Sequence, residues 1–105
     1  MSNQLVSVIL PTRNRSKLLK KAIDSVLNQT YKEFELIIVD DFSTDDTKNI
    51  IYSISDKRIK YFKNNKVLQA PESRNKGILL SKGKYIAFLD DDDEWYPNKL
   101  ELQLN

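Results

Sequence analysis

The sequence predicts an α/β fold, a doubly wound and mostly parallel sheet with strands in the order 3-2-1-4. Three observations carry this prediction. Short apolar runs alternate with amphipathic stretches along the whole 105 residues, the pattern of parallel strands joined by right-handed helical crossovers. The runs are rich in Val, Ile and Phe, as buried strands of parallel sheets are. Two of them end in acid: residues 34–39 (FELIIV) run into Asp40 and Asp41, and residues 85–89 (YIAFL) into Asp90, Asp91, Asp92, Asp93 and Glu94. In such sheets ligands bind beyond the carboxyl ends of the strands, at the point where the strand order reverses.

The first strand is residues 6–10 (VSVIL), ended by Pro11. Pro11, Thr12, Arg13 and Asn14 then form a turn. Ser16 is the expected N-cap of a helix whose Leu18, Leu19, Ala22, Ile23, Val26 and Leu27 make one apolar stripe. The second strand, residues 34–39, is followed by a turn in which Ser43 and Asp46 have capping-box spacing. Asp45 and Asp46 there suit the positive end of a helix dipole and need no other role. That helix carries Ile50, Ile51 and Ile54 and stops near Asp56. The third strand, residues 59–62 (IKYF), reads as half-buried. After a polar loop over residues 63–71, a short helix over 73–81 has Ile78, Leu79 and Leu80 apolar and ends near Gly83. The fourth strand, residues 85–89, reads as fully buried. Pro97 opens a last helix with Leu100 and Leu104 on one face.

In the order 3-2-1-4, the ends of strands two, one and four are neighbours. The Pro11–Asn14 turn, Asp40 and Asp41, and the run from Asp90 to Asp93 then converge on one crevice. Crowding carboxylates costs energy: two like charges about 4 Å apart repel by about 4 kcal/mol at an effective dielectric of 20. Solvent, protonation, neighbouring bases or a divalent cation could offset this. Hard oxygen donors suit Mg²⁺ or Mn²⁺.

Composition narrows the chemistry. There is no Cys, so disulfides and thiolate metal sites are excluded, and no His, the usual general base and zinc ligand. Net charge is +2, which argues against nucleic-acid binding. Of 15 acidic residues, nine fall in the two clusters 40–46 and 90–94. Neither cluster meets the EF-hand pattern. The two glycines, Gly77 and Gly83, supply neither a dinucleotide fingerprint nor a P-loop. A carboxylate site would hold phosphates through a bridging metal instead. Asp41 could accept from a base N–H, with Arg13 or Arg74 nearby. No apolar run is long enough to span a membrane, and a cytoplasmic domain is expected, associated with membranes only through other regions or partners.

The segments VSVILPTRNRSKLLKKAIDSVLNQTYKEFELIIVDDFSTDDT and APESRNKGILLSKGKYIAFLDDDDEWYPNKL strongly resemble the N-terminal, nucleotide-binding half of family 2 glycosyltransferases of the GT-A fold. The resemblance spans residues 6–104 and makes residues 1–105 one truncated nucleotide-sugar-binding half. It implies that Pro11, Thr12, Arg13 and Asn14 lie along the nucleotide and that Asp41 contacts uracil. It puts Arg74 and Asn75 near the nucleotide or phosphates. Its D-x-D falls on Asp90, Asp91 and Asp92. Asp92 is then the metal ligand, and Asp90 faces ribose or metal. The additional acid at Asp91 leaves the ligand assignment open by one position. Arg13 stands where the family often has an aromatic residue, and Arg15 near a common glutamate, which bears on base and phosphate contacts.

The implied activity is inverting transfer from a UDP-sugar to a sugar, lipid-linked or polysaccharide acceptor. The resemblance places the catalytic base in a second half, so no residue here takes that role. The rival reading is a non-catalytic assembly module. It would oligomerise with itself through an open sheet edge and a last helix exposing Leu100 and Leu104.

Overall fold

The computed structural model describes residues 4–104. Its elements are β1 (Val6–Thr12), α1 (Ser16–Leu27), β2 (Phe34–Asp40), α2 (Thr47–Tyr52), β3 (Ile59–Lys63), α3 (Ala70–Leu80), β4 (Tyr85–Phe88) and α4 (Lys99–Leu104). The four strands form one all-parallel sheet in the order β3-β2-β1-β4, as the sequence predicts. β1 and β2 run in register from Val6 beside Phe34 to Thr12 beside Asp40. The β1–β4 pairing ends earlier, at Ile9 beside Phe88. The chain after β4 therefore turns off level with the last residues of β1.

Pro11 does not end β1. It lies inside the strand beside Val39, where β4 has already stopped, so no partner on that side needs its missing N–H.

Alternation along the central strands separates two layers. Val6, Val8, Leu10, Leu36 and Ile38 face α1, α2 and α4, and join Leu19, Ala22, Ile23, Val26, Ile51, Leu89 and Leu100 in one core. Each Leu, Ile or Val fully buried there contributes about 1.5–3 kcal/mol. The opposite face is covered by α3.

That helix is packed differently from its sequence pattern. It starts at Ala70, with Pro71 in its first turn, rather than near Ser73. Its buried residues are Ser73 and Gly77, whereas Leu79 is 85% exposed. A Cβ on Gly77 would lie 2.5 Å from Ile9 Cγ2, so the small residues set the close approach of helix and sheet. Gly83 is not a left-handed cap, since no glycine has positive φ. It is needed because a Cβ there would meet the backbone of Ser7 and Leu5 at 2.7 and 2.8 Å.

β4 is not fully buried. Tyr85, Ile86 and Phe88 are exposed, because β4 is the edge strand and little of the described chain covers it. Leu100 is not exposed either. It is buried in the core, Leu104 packs partly against it, and the exposed apolar residue of α4 is Leu102. α2 is shorter than its pattern, ending at Tyr52.

Two caps also differ. Ser16 is the first residue of α1 and its N–H donates to Asp45 Oδ2 at 3.1 Å, so the cap comes from another loop. Ser43 forms no capping box. Its hydroxyl accepts the Asn14 N–H at 2.9 Å and its own N–H donates to Asp40 Oδ1 at 2.9 Å.

Candidate nucleotide and metal site

Beyond the carboxyl ends of β1, β2 and β4 lies an open cleft of about 390 Å³. It is lined by Pro11, Thr12, Arg13, Arg15, Asp41, Gln69, Ala70, Ser73, Arg74, Asp90, Asp91 and Asp92. Of the residues singled out from sequence, eight come together here. Asn14 and Asn75 do not line it. Asn14, at φ 53°, turns its Oδ1 to the Thr44 and Asp45 N–H groups at 2.8 and 3.3 Å. Asn75 is exposed on α3.

The acidic run after β4 divides its labour. Asp91 points inward: its side chain is only 13% exposed, and its Oδ2 accepts the Thr12 hydroxyl at 2.8 Å and the Arg13 N–H at 3.4 Å. Asp90 and Asp92 are open to the cleft. Asp90 pairs with Arg74 at 3.7 Å, and Asp92 with Arg15 at 3.3 Å. Arg15 also reaches Asp91 at 3.8 Å. The segment after the run is held from below by Gln29. Its Nε2 donates to the Tyr96 carbonyl at 2.6 Å, and its Oε1 accepts the Leu100 N–H at 3.0 Å.

Asp40, the last residue of β2, and Asp41, the first beyond it, face opposite ways. Asp40 turns into the α1 side and accepts the Tyr61 hydroxyl at 2.6 Å. Asp41 reaches across to the loop before α3. Its Oδ1 accepts from Leu68 N–H at 2.7 Å and Asn64 Nδ2 at 3.0 Å, and its Oδ2 from Gln69 N–H at 2.9 Å. Burial pushes the Asp41 pKa up. The Leu68, Asn64 and Gln69 hydrogen bonds and the nearby Arg13 charge outweigh that, and hold it below the ordinary carboxylate value.

These bonds also fix Gln69 at φ 78°, a costly backbone state for a non-glycine residue. The three non-glycine residues with positive φ among those described are Asn14, Phe42 and Gln69, in the loops after β1, after β2 and before α3.

Gln69, Ala70 and Ser73 were not legible as site residues from sequence. The one available signal was Pro71, which marks the first turn of a helix and so sets the preceding residues at its mouth.

The donor set suits a hard divalent cation in one mode. Among the described residues no group of three acidic side chains is arranged to hold a metal. Asp90 and Asp92 offer exposed carboxylate oxygens, which fits the Mg²⁺ habit of one or two carboxylates with water and substrate phosphates completing the shell.

The glycosyl transferase family 2 model matches residues 7–105. A glycosyltransferase of Rickettsia bellii is 52% identical over 94% of this chain and 14% of its own length. The Escherichia coli UDP-Glc:alpha-D-GlcNAc-diphosphoundecaprenol beta-1,3-glucosyltransferase WfgD is 42% identical over 100% of this chain and 42% of its own. The crystal structure of S. aureus TarS 1-349 in complex with UDP-GlcNAc superposes with a TM-score of 0.89 at 30% identity, over 94% of this chain and 30% of that one. The chain thus spans less than half the length of these relatives. With a fold matching the Rossmann-like N-terminal half of GT-A enzymes and a family match over nearly its whole length, the chain belongs to glycosyl transferase family 2.

Proposed function

We propose that the cleft binds a UDP-sugar, and that residues 1–105 are the nucleotide-sugar-binding half of an inverting glycosyltransferase acting on a lipid-linked or polysaccharide acceptor. The observation that carries this reading is the convergence of Thr12, Arg13, Asp41, Arg74 and the Asp90–Asp92 turn at the switch point between β1 and β4. The relatives support it: TarS was crystallised with UDP and with UDP-GlcNAc, and WfgD is named for UDP-Glc and a lipid diphosphate.

Charge argues for a cation. Four carboxylates against three guanidiniums leave the cleft with one negative charge, a poor receptor for a diphosphate. Asp92, with Asp90, would hold Mg²⁺ or Mn²⁺. When bound, the ion neutralises charge on the leaving diphosphate. Asp91 positions the turn from behind. Arg74, at the cleft wall, is placed for a phosphate oxygen, and Asp41 shapes the wall against which the base lies. Asp41 Oδ2 accepts one protein hydrogen bond in the structure, which leaves it a lone pair for a base N–H. No residue described here is assigned as the base that deprotonates the acceptor hydroxyl, so the 105-residue chain alone is expected not to turn over.

Calorimetric titration of UDP into the chain, with and without Mn²⁺ and repeated on Asp92→Asn, tests the reading. Metal-dependent binding abolished by the substitution supports it. No binding under any condition overturns it. The exposed Tyr85, Ile86 and Phe88 on β4 favour a second reading, self-assembly through that edge. A light-scattering mass of one chain would dismiss it.

A further inference from the structure

Arg15 is spent on the acidic turn. It stands at the N-cap of α1, and its guanidinium lies 3.3 Å from Asp92 Oδ2 and 3.8 Å from Asp91 Oδ1, across more than 70 residues of sequence. Arg74 takes Asp90 at 3.7 Å. Asp90, Asp91 and Asp92 therefore each have a cationic partner in the protein itself. The Arg15 and Asp92 side chains are 48% and 50% exposed, so this pairing is reversible and open to exchange with solutes.

We propose that Arg15 is a built-in counter-cation of the metal site, which competes with a divalent ion for Asp92 and transfers to the diphosphate when metal and nucleotide bind together. The inference rests on the metal-site reading above and adds a regulatory consequence to it. With the cleft empty, Arg15 offsets the like-charge repulsion of Asp91 and Asp92, which lie next to each other at the sheet edge. A divalent ion on Asp92 Oδ2 competes with the guanidinium for the same oxygen. A planar, five-donor guanidinium released beside a diphosphate has an anion of matching geometry at hand. Metal alone is thus disfavoured, and metal with nucleotide is favoured. Arg15 makes the binding of the two interdependent, and the coupling is reciprocal by linkage.

The backbone of Arg15 is independent of this role. Its carbonyl accepts the Leu18 and Leu19 N–H groups at 3.0 and 2.9 Å, which a side-chain change leaves in place. The test uses Arg15→Gln and Arg15→Lys, with thermal melts to verify folding. Mn²⁺ alone is titrated into each protein by calorimetry, followed by UDP in the presence of saturating Mn²⁺. Arg15→Gln is expected to bind Mn²⁺ roughly two- to fivefold more tightly than the parent chain, the range of an exposed ion pair. It is also expected to bind UDP with Mn²⁺ more weakly, and Arg15→Lys should lie between. Unchanged or weaker Mn²⁺ binding by Arg15→Gln, with UDP binding intact in the parent chain, overturns this inference and leaves the metal-site reading standing. Failure of all the proteins to bind either Mn²⁺ or UDP overturns both.

Discussion

The Thr12 hydroxyl donates to Asp91 Oδ2 at 2.8 Å, joining residues 79 apart in sequence. Because β1 outruns β4, the acidic turn falls beside the last residue of β1 and not beyond it. The middle carboxylate is thereby drawn inward and its two neighbours are left facing the cleft. This supports Asp90 and Asp92 as the pair open to a metal. A Thr12→Val substitution keeps the shape and deletes the bond, a loss of about 0.5–1.5 kcal/mol. The expected result is UDP–Mn²⁺ affinity lowered roughly two- to tenfold with the fold intact. Calorimetry with unchanged affinity would show that Asp91 does not set the turn.

Asp45 ties two helix starts together. Its Oδ2 accepts the Ser16 N–H at 3.1 Å, and its Oδ1 accepts the Thr47 N–H at 3.1 Å and hydroxyl at 2.5 Å. Loss of an N-cap costs about 0.5–2 kcal/mol. Asp45→Ala should therefore lower the melting temperature by several degrees, at about 4–8 °C per kcal/mol for a domain near this size. Asp46→Ala is the control. Among the described residues its carboxylate accepts only from the Asn49 side chain, at 3.0 Å, and its melt should stay close to that of the parent chain. Equal melting temperatures for the two variants would sink the assignment.

The same contact marks the limit of what was legible in the sequence. Alternating apolar runs marked the strands and acids marked two strand ends, because both signals are local in the chain; the order 3-2-1-4, and with it the crevice, came from the doubly wound arrangement that such alternation favours. Asp45 reads locally as a helix-start residue, and it is one. That it also caps a second helix depends on Asn14, whose Oδ1 holds the 44–45 backbone against the β1 turn. Ile78, Leu79 and Leu80 are the apolar residues that mark α3 in the sequence, yet the sheet selects Ser73 and Gly77, since only small residues admit the helix over Ile9. β4 reads as buried because composition reports apolarity and not which neighbour supplies the cover. Eight of ten candidate site residues line the cleft, whereas Gln69 entered it through a backbone state that no side-chain pattern encodes.

Gly77→Ala tests the α3 packing. Alanine would ordinarily stabilise a helix interior by up to about 1 kcal/mol over glycine. Here its methyl carbon would come within 2.5 Å of Ile9 Cγ2, in a side chain that is itself fully buried and branched at Cβ. Overpacking of this kind costs about 1–3 kcal/mol, so the clash is expected to win. Denaturant unfolding should show a lower midpoint. A higher midpoint would mean that helix propensity dominates and that α3 lifts from the sheet without penalty. Ile9→Ala removes Cγ1 and Cγ2, the two atoms nearest the new methyl group, so Gly77→Ala is expected to cost less in an Ile9→Ala background than in the parent chain.

Asp41 should make the cleft acid-sensitive. Its folded-state pKa lies below the ordinary 3.8, because the Leu68, Asn64 and Gln69 hydrogen bonds together with Arg13 outweigh the effect of burial. A group depressed in this way stabilises the fold fully above its unfolded-state pKa. The contribution is lost as pH falls from there through the lower folded value. Asp41→Asn removes that pH dependence and adds a conflict, since an amide NH₂ would then meet N–H donors from Leu68, Gln69 or Asn64. The variant should be less stable at pH 7 by about 1–3 kcal/mol, the penalty for unsatisfied buried groups. Its melting temperature should also fall less steeply than that of the parent chain as pH drops below about 4. Some slope remains in the variant from Glu35. Burial raises the pKa of Glu35, but Ser7, the Lys82 N–H and Lys60 bring it down to a lowered value. Parallel melting curves in the parent and variant chains across that range would show that Asp41 titrates normally and that the loop before α3 is held by something else.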